Sequence, residues 1–141
     1  MRILIPYDGS EQAKAALEHA ASEHADDEFV LLHVLDFVES GYNAAPEAAL
    51  AGYWDEWYDQ AEASGEELLE DAAADLENDV ETDLVVGQPA RAIVEYINDG
   101  DNEIDAVVIG SHGRDGLSRI LLGSVAETVV RRSPVPVTVV R

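Results

Sequence analysis

Asp105-Ala106-Val107-Val108-Ile109, then Gly110-Ser111-His112-Gly113-Arg114-Asp115-Gly116, then Gly123-Ser124 opening residues 124–132: an apolar run passes through a glycine-rich loop into a helix. The run reads as a strand of 105–109, and strand–loop–helix is half of a βαβ unit. Val135–Val140 follows as the next strand and completes that unit.

Working outward, the same alternation recurs. Residues 2–6 read as a short buried strand closed by Pro6, and Ser10 is a good N-cap after the turn Tyr7-Asp8-Gly9. Ala13, Ala16, Leu17, Ala20 and Ala21 then form one helical face, mostly alanine, which lets a helix approach a sheet closely. Residues 28–35 are continuously apolar apart from Glu28 and His33, as expected of a strand covered on both faces. Residues 36–52 have no period and read as a loop or insertion. A long acidic helix is expected from about Tyr53 to Leu76, with Trp57, Ala61, Leu68, Leu69, Ala72 and Leu76 on its inner side. A third strand covers 80–86. Pro89 suits the first turn of a helix whose Ala90, Ile93, Val94 and Ile97 face inward, and Asn98-Asp99-Gly100 ends it. The order βαβαβαβαβ implies one α/β domain over residues 1–141, a parallel five-stranded sheet with helices on both faces. Ligands in such sheets bind at the carboxyl ends of the strands where strand order reverses, which selects the loops after strands one and four.

Composition narrows the function. Hydrophobic residues make up 47% and charged residues 27% of 141 residues, which suits one globular domain. The absence of cysteine excludes disulfides, thiolate metal sites and Cys nucleophiles. The opening apolar run stops at Pro6, too short for a signal peptide, and nothing approaches a membrane span, so a cytoplasmic protein is expected. Thirty Asp and Glu stand against eight Lys and Arg, a net charge of −22, with no Lys or Arg between Lys14 and Arg91. Such a surface suits a high-salt, halophilic cytoplasm and argues against nucleic acid, whose phosphates need a basic stripe.

The loop after strand four carries the chemistry. Glycines let backbone N–H groups turn toward a ligand, and the helix start at Gly123-Ser124 presents unpaired N–H groups and a positive dipole end. Arg114 and Arg119 bring two of the eight basic residues to this loop. A polyphosphate repelled almost everywhere else is welcome here. The residues by themselves leave a second reading open: Gly110 and Gly113 as plain turns, Ser124-Val125-Ala126-Glu127 as a capping box, and the arginines paired with surface acids. The loop contains neither G-x-x-x-x-G-K-[ST] nor G-x-G-x-x-G.

Gly110-x2-Gly113-x9-Gly123-Ser124 resembles the nucleotide-binding pattern of the ATP-binding branch of the universal stress protein family. Residues 107–140 look like that family almost throughout, as do the opening Ile-Leu-Ile-Pro-Tyr-Asp-Gly-Ser and Leu32-His33-Val34; residues 36–80 diverge most. The resemblance implies strand order 3-2-1-4-5 with ATP across the carboxyl ends of strands one and four. It places Pro6, Tyr7 and Asp8 at the adenosine, the Asp8 carboxylate near ribose or base, and Val34 at the adenine edge through its backbone. Gly110, His112, Gly113 and Arg114 would wrap ribose and phosphates, and Gly123, Ser124 and Val125 would hold the phosphates. Mg2+ would travel with the nucleotide. An Asp in a turn before a helix often caps that helix, which is the competing reading of Asp8; because Ser10 is available for the cap, the ligand role is the expectation.

The same topology puts Val135–Val140 at a sheet edge, where the family pairs with a second copy to give a homodimer; blunting by Pro134 and Pro136 is the alternative. No nucleophile or water-orienting group completes a phosphoryl-transfer site, so no catalytic residue is assigned, and bound ATP is expected to act as a conformational switch in a stress response. Two other functions compete: a nucleotide-independent module docking a partner through Trp54, Trp57 and Tyr58, and a slow ATP-hydrolysing or nucleotidyl-transferring enzyme. His19 and His24, five apart, make no i, i+4 metal pair, and His33 reads as a core or strand-end histidine.

Overall fold

The computed structural model describes residues 1–36, 47–111 and 122–141. Five strands, β1 (Arg2–Pro6), β2 (Glu28–Leu35), β3 (Val80–Val86), β4 (Ala106–Gly110) and β5 (Val137–Val140), alternate with four helices. These are α1 (Glu11–Glu23), α2 (Glu47–Ala73), α3 (Pro89–Asn98) and α4 (Ser124–Arg132). All strand pairs are parallel, in the order β3-β2-β1-β4-β5. Strand order thus reverses between β1 and β4, and the expected switch point is present.

Period-two alternation along the buried strands builds two cores. Ile3, Ile5, Phe29, Leu31 and Val108 pack with the alanine face of α1 and with Leu69 of α2. Leu4, Val30, Leu32, Val107 and Ile109 pack on the other face with Ile93, Tyr96 and Ile97 of α3 and with Ala126 and Val129 of α4. Each fully buried Leu, Ile or Phe contributes about 1.5–3 kcal/mol. Ser10 caps α1, accepting a 3.1 Å bond from the Ala13 N–H, and Pro89 occupies the first position of α3.

The boundaries that differ have local causes. α2 begins at Glu47, not near Tyr53, because Gly52 does not stop it: the glycine is exposed, with nothing within 4 Å of a built Cβ. Gly in a helix interior costs only about 1 kcal/mol, which the long buried face outweighs. β5 begins at Val137, not Val135. Ser133 Oγ donates to the Val135 carbonyl at 2.8 Å and accepts from its N–H at 3.1 Å, which curls residues 133–135 into a turn.

Tyr96 was not on the expected inward face of α3, yet it is buried and its hydroxyl donates to Asp83 Oδ2 at 3.0 Å. Burial first, and then the hydrogen bond to Asp83, push its pKa well above the ordinary tyrosine value. A folded-state value raised in this way contributes stability that is complete below the unfolded pKa of about 10 and is lost as pH rises through the folded value. Tyr96→Phe is therefore expected to lose about 1–2 kcal/mol at neutral pH. It is also expected to flatten the alkaline fall in urea midpoint, compared at about pH 9 and about pH 11. An equally steep fall in both proteins would contradict this.

Cations are few, and among the described residues several are paired with acids. Arg2 holds Glu28 at 2.9 Å, Glu81 at 2.6 Å and the Asn102 carbonyl at 2.7 Å. Arg91–Glu95 and Arg131–Glu127 are exposed pairs one turn apart on their helices. With a net charge of −22 left largely uncompensated, salt is expected to stabilise the fold, as the screening length falls from about 10 Å at 0.1 M to about 3 Å at 1 M. The melting midpoint then climbs by several degrees over that range of KCl; a flat or falling midpoint would show that self-repulsion does not govern stability.

Candidate functional site

β1 delivers Pro6, Tyr7 and Asp8 to the carboxyl end of the sheet, and the chain turns at Gly9, whose φ of +78° favours glycine. The Asp8 carboxylate accepts the Ser10 N–H at 2.9 Å, which fixes the turn while Ser10 itself caps α1. The Tyr7 ring is buried in the α1/α2 core, so the part of Tyr7 at the strand end is its backbone. Burial, with the charges of Asp8 and Glu11 behind it, raises the Tyr7 pKa and keeps the phenol neutral. Val34, next to last in β2, is half-buried with its side chain against the opposite core.

On the other side of the switch point, Gly110 ends β4 against the first turn of α1. A Cβ built on Gly110 would stand 2.7 Å from the backbone carbon and oxygen of Gln12. Ser111 is buried; its N–H donates to Val140 O at 2.8 Å, and its carbonyl accepts the Gly123 N–H at 2.7 Å. That second bond ties the two ends of the glycine-rich loop together. His112, Gly113, Arg114 and Arg119 lie outside the described residues.

The capping-box reading of Ser124 does not hold. Gly123 is the N-cap residue, at φ −65° and ψ 159°, and makes no side-chain cap bond; Ser124 is the first residue of α4 and is exposed. The first N–H groups of a helix have no partner within it. Glycine at the cap therefore gives the positive end of α4 no cap side chain as acceptor, where serine, one residue earlier, would have supplied one. The acidic first-turn residue is Glu127, and Arg131 and Arg132 sit at the far end.

A cavity of about 530 Å³ opens beside the β1 turn, lined by Asp8, Ser10, His33, Ser64, Gly65 and Leu68 among others. A wider groove of about 750 Å³ lies at the amino end of the strands, walled by Asp26, Asp27, Glu28, Asp79, Glu103 and Asp105. Met1 and Arg2 also line it, but the ammonium and the guanidinium are already paired with Asp27, Glu28 and Glu81, so the acidic walls disfavour phosphate there. Of the aromatic trio on α2, Trp57 is buried and Trp54 exposed, with ring centroids 5.4 Å apart, so the ring expected in the core is there. Among the described residues no three His, Asp or Glu side chains gather to hold a metal, and no helix is long and apolar enough to cross a membrane.

Contacts from β2 and α2 to the β1 turn escaped the sequence reading. His33 Nδ1 donates to Tyr7 O at 2.8 Å, and Leu68 lies against Gly9. Residues 26 and 59 positions apart carry no local signal of their meeting.

Fold and site together define a doubly wound α/β protein with two loops at its switch point, one of which leads into a helix capped by glycine. The chain belongs to the universal stress protein family, whose model matches residues 1–141. Universal stress protein MJ0577 of Methanocaldococcus jannaschii is 33% identical, covering 99% of this chain and 94% of that protein. Its solved structure superposes with a TM-score of 0.82. Universal stress protein MJ0531 of the same organism is also 33% identical, over 99% of this chain and 81% of its own length. A universal stress protein solved in complex with cAMP is 25% identical, covering 100% of this chain and 96% of that one, with a TM-score of 0.57.

Proposed function

We propose that this protein binds ATP and acts as a nucleotide-dependent homodimeric switch in a stress response. The observation that carries the reading is the N-terminus of α4: a glycine cap without a side-chain bond, an exposed Ser124, and a position across the switch point from Asp8. The cAMP-bound family member supports an adenine nucleotide as the ligand class. Adenosine lies over the ends of β1 and β2, with Asp8 at ribose or base, the backbones of Pro6 and Tyr7 beneath it, and the main chain of Val34 at the adenine edge. Gly110, His112, Gly113 and Arg114 enclose the ribose and phosphates, and Gly123, Ser124 and Val125 receive the phosphate oxygens. Mg2+ accompanies the triphosphate, neutralising part of its charge while keeping several waters.

ATP works here as a ligand that favours one conformation, by as much as its affinity differs between the two. Two copies pair through the C-terminal segment Val135–Val140, whose strand β5 (Val137–Val140) lies at the sheet edge and can take a second strand. The experiment is direct: purify the protein in molar KCl, denature it, and identify the released small molecule by chromatography. Adenine nucleotide at near one per chain supports the reading. Nucleotide-free protein that shows neither heat nor a melting shift with millimolar MgATP overturns it.

A further inference from the structure

The parallel ladder between β1 and β2 runs to the Pro6–Leu32 pair, and one more backbone bond, Tyr7 N–H to Leu32 O at 2.8 Å, closes it. Beyond that point the two chains part, and β1 turns toward α1. The His33 side chain reaches across: its Nδ1 lies 2.8 Å from Tyr7 O. A carbonyl only accepts, so Nδ1 carries the proton. Because the peptide unit is planar, holding Tyr7 O also sets the plane that carries the Asp8 N–H, and so the starting direction of the Asp8 side chain.

The imidazole is itself held from behind. α2 passes close enough that a Cβ built on Gly65 would stand 3.0 Å from His33 Cδ2 and 2.8 Å from Leu84 Cδ2. One turn further along α2, Leu68 Cδ1 would stand 3.0 Å from a Cβ on Gly9, the positive-φ residue of the same turn. Gly65 and Leu68 share one face of α2, so a single helix surface backs both the histidine and the turn that it grips.

We infer that His33 is a positioning residue for the nucleoside half of the ATP site, holding the Tyr7–Asp8 peptide in the orientation that presents Asp8 to the ligand. This rests on the ATP-binding reading above. The histidine touches no ligand in this account; it acts through Tyr7 O.

Calorimetry in molar KCl on the full chain tests it, with MgATP and inorganic tripolyphosphate as separate titrants. His33→Leu is expected to weaken ATP about tenfold, the equivalent of one lost hydrogen bond of about 1.4 kcal/mol, and to leave tripolyphosphate within about twofold. His33→Asn places an amide N–H where Nδ1 sits and is expected to restore ATP to within about threefold of the parent. Should His33→Leu not fold, His33→Gln serves, since its amide corresponds to Nε2 and misses Tyr7 O. Unchanged ATP binding in the Leu or Gln variant, equal loss of both titrants, or no recovery in His33→Asn overturns the inference. A parent protein that binds neither titrant overturns the ATP reading itself, a separate outcome visible before any variant is made.

Discussion

Gly123→Asp is expected to keep the protein folded, with a melting midpoint equal to or slightly above the parent's, while its affinity for MgATP falls at least about 100-fold. The two halves of that result have one cause. Gly123 already has extended φ and ψ values that any residue adopts, and it is the N-cap of α4 without a side-chain bond. Aspartate is among the preferred caps, replaces glycine there at a gain of a few tenths of a kcal/mol, and suits the positive end of the helix dipole. It also places a carboxylate where the phosphates are proposed to lie. Two like charges about 4 Å apart repel by roughly 4 kcal/mol at an effective dielectric constant near 20, and a triphosphate carries several. Calorimetry against MgATP together with a thermal melt reads both quantities. Parent-like affinity in a folded Gly123→Asp protein would show that the phosphates do not sit on α4.

Gly110→Ala is expected to be the most damaging single methyl group in the site. Its Cβ would meet the backbone carbon and oxygen of Gln12 at 2.7 Å, and backbone in the first turn of a capped helix does not swing aside as a side-chain tip does. Overpacking of this kind costs about 1–3 kcal/mol, here at the upper end, or roughly 10 °C in melting midpoint for a chain of this size. The only relief is to push α1 away from β4, which separates Asp8 from Gly123 and weakens nucleotide binding as well. Urea unfolding and ATP titration of the variant measure the two losses. A variant within about 0.5 kcal/mol of the parent would mean that the α1–β4 contact is softer than this packing implies.

Between these two glycines runs the difference between what a local pattern reveals and what it hides. That 110 and 123 are glycine is visible in the chain, and so is their place on either side of a loop. Their reasons are opposite. Gly123 gives its helix no side-chain cap, whereas Gly110 is small because another helix touches it, and no local pattern distinguishes the two. Ser124 shows the same gap by one residue: Ser-x-x-Glu reads as a capping box, yet the helix starts on the serine and leaves its hydroxyl exposed. α2 likewise starts before the expected position, since a solvent-facing glycine at 52 does not interrupt a helix held by its other face.

The strands, the helices, their alternation, the two loops at the switch point and the acidic surface follow from apolar periodicity and residue chemistry along the chain, because those forces act between near neighbours or on the whole surface at once. Which residues meet across the sheet follows from packing alone: Gly110 on Gln12, His33 on Tyr7, Gly65 behind His33, Tyr96 on Asp83. Contacts between residues 13 to 98 positions apart depend on strand register and helix approach, which exist only once both cores have closed.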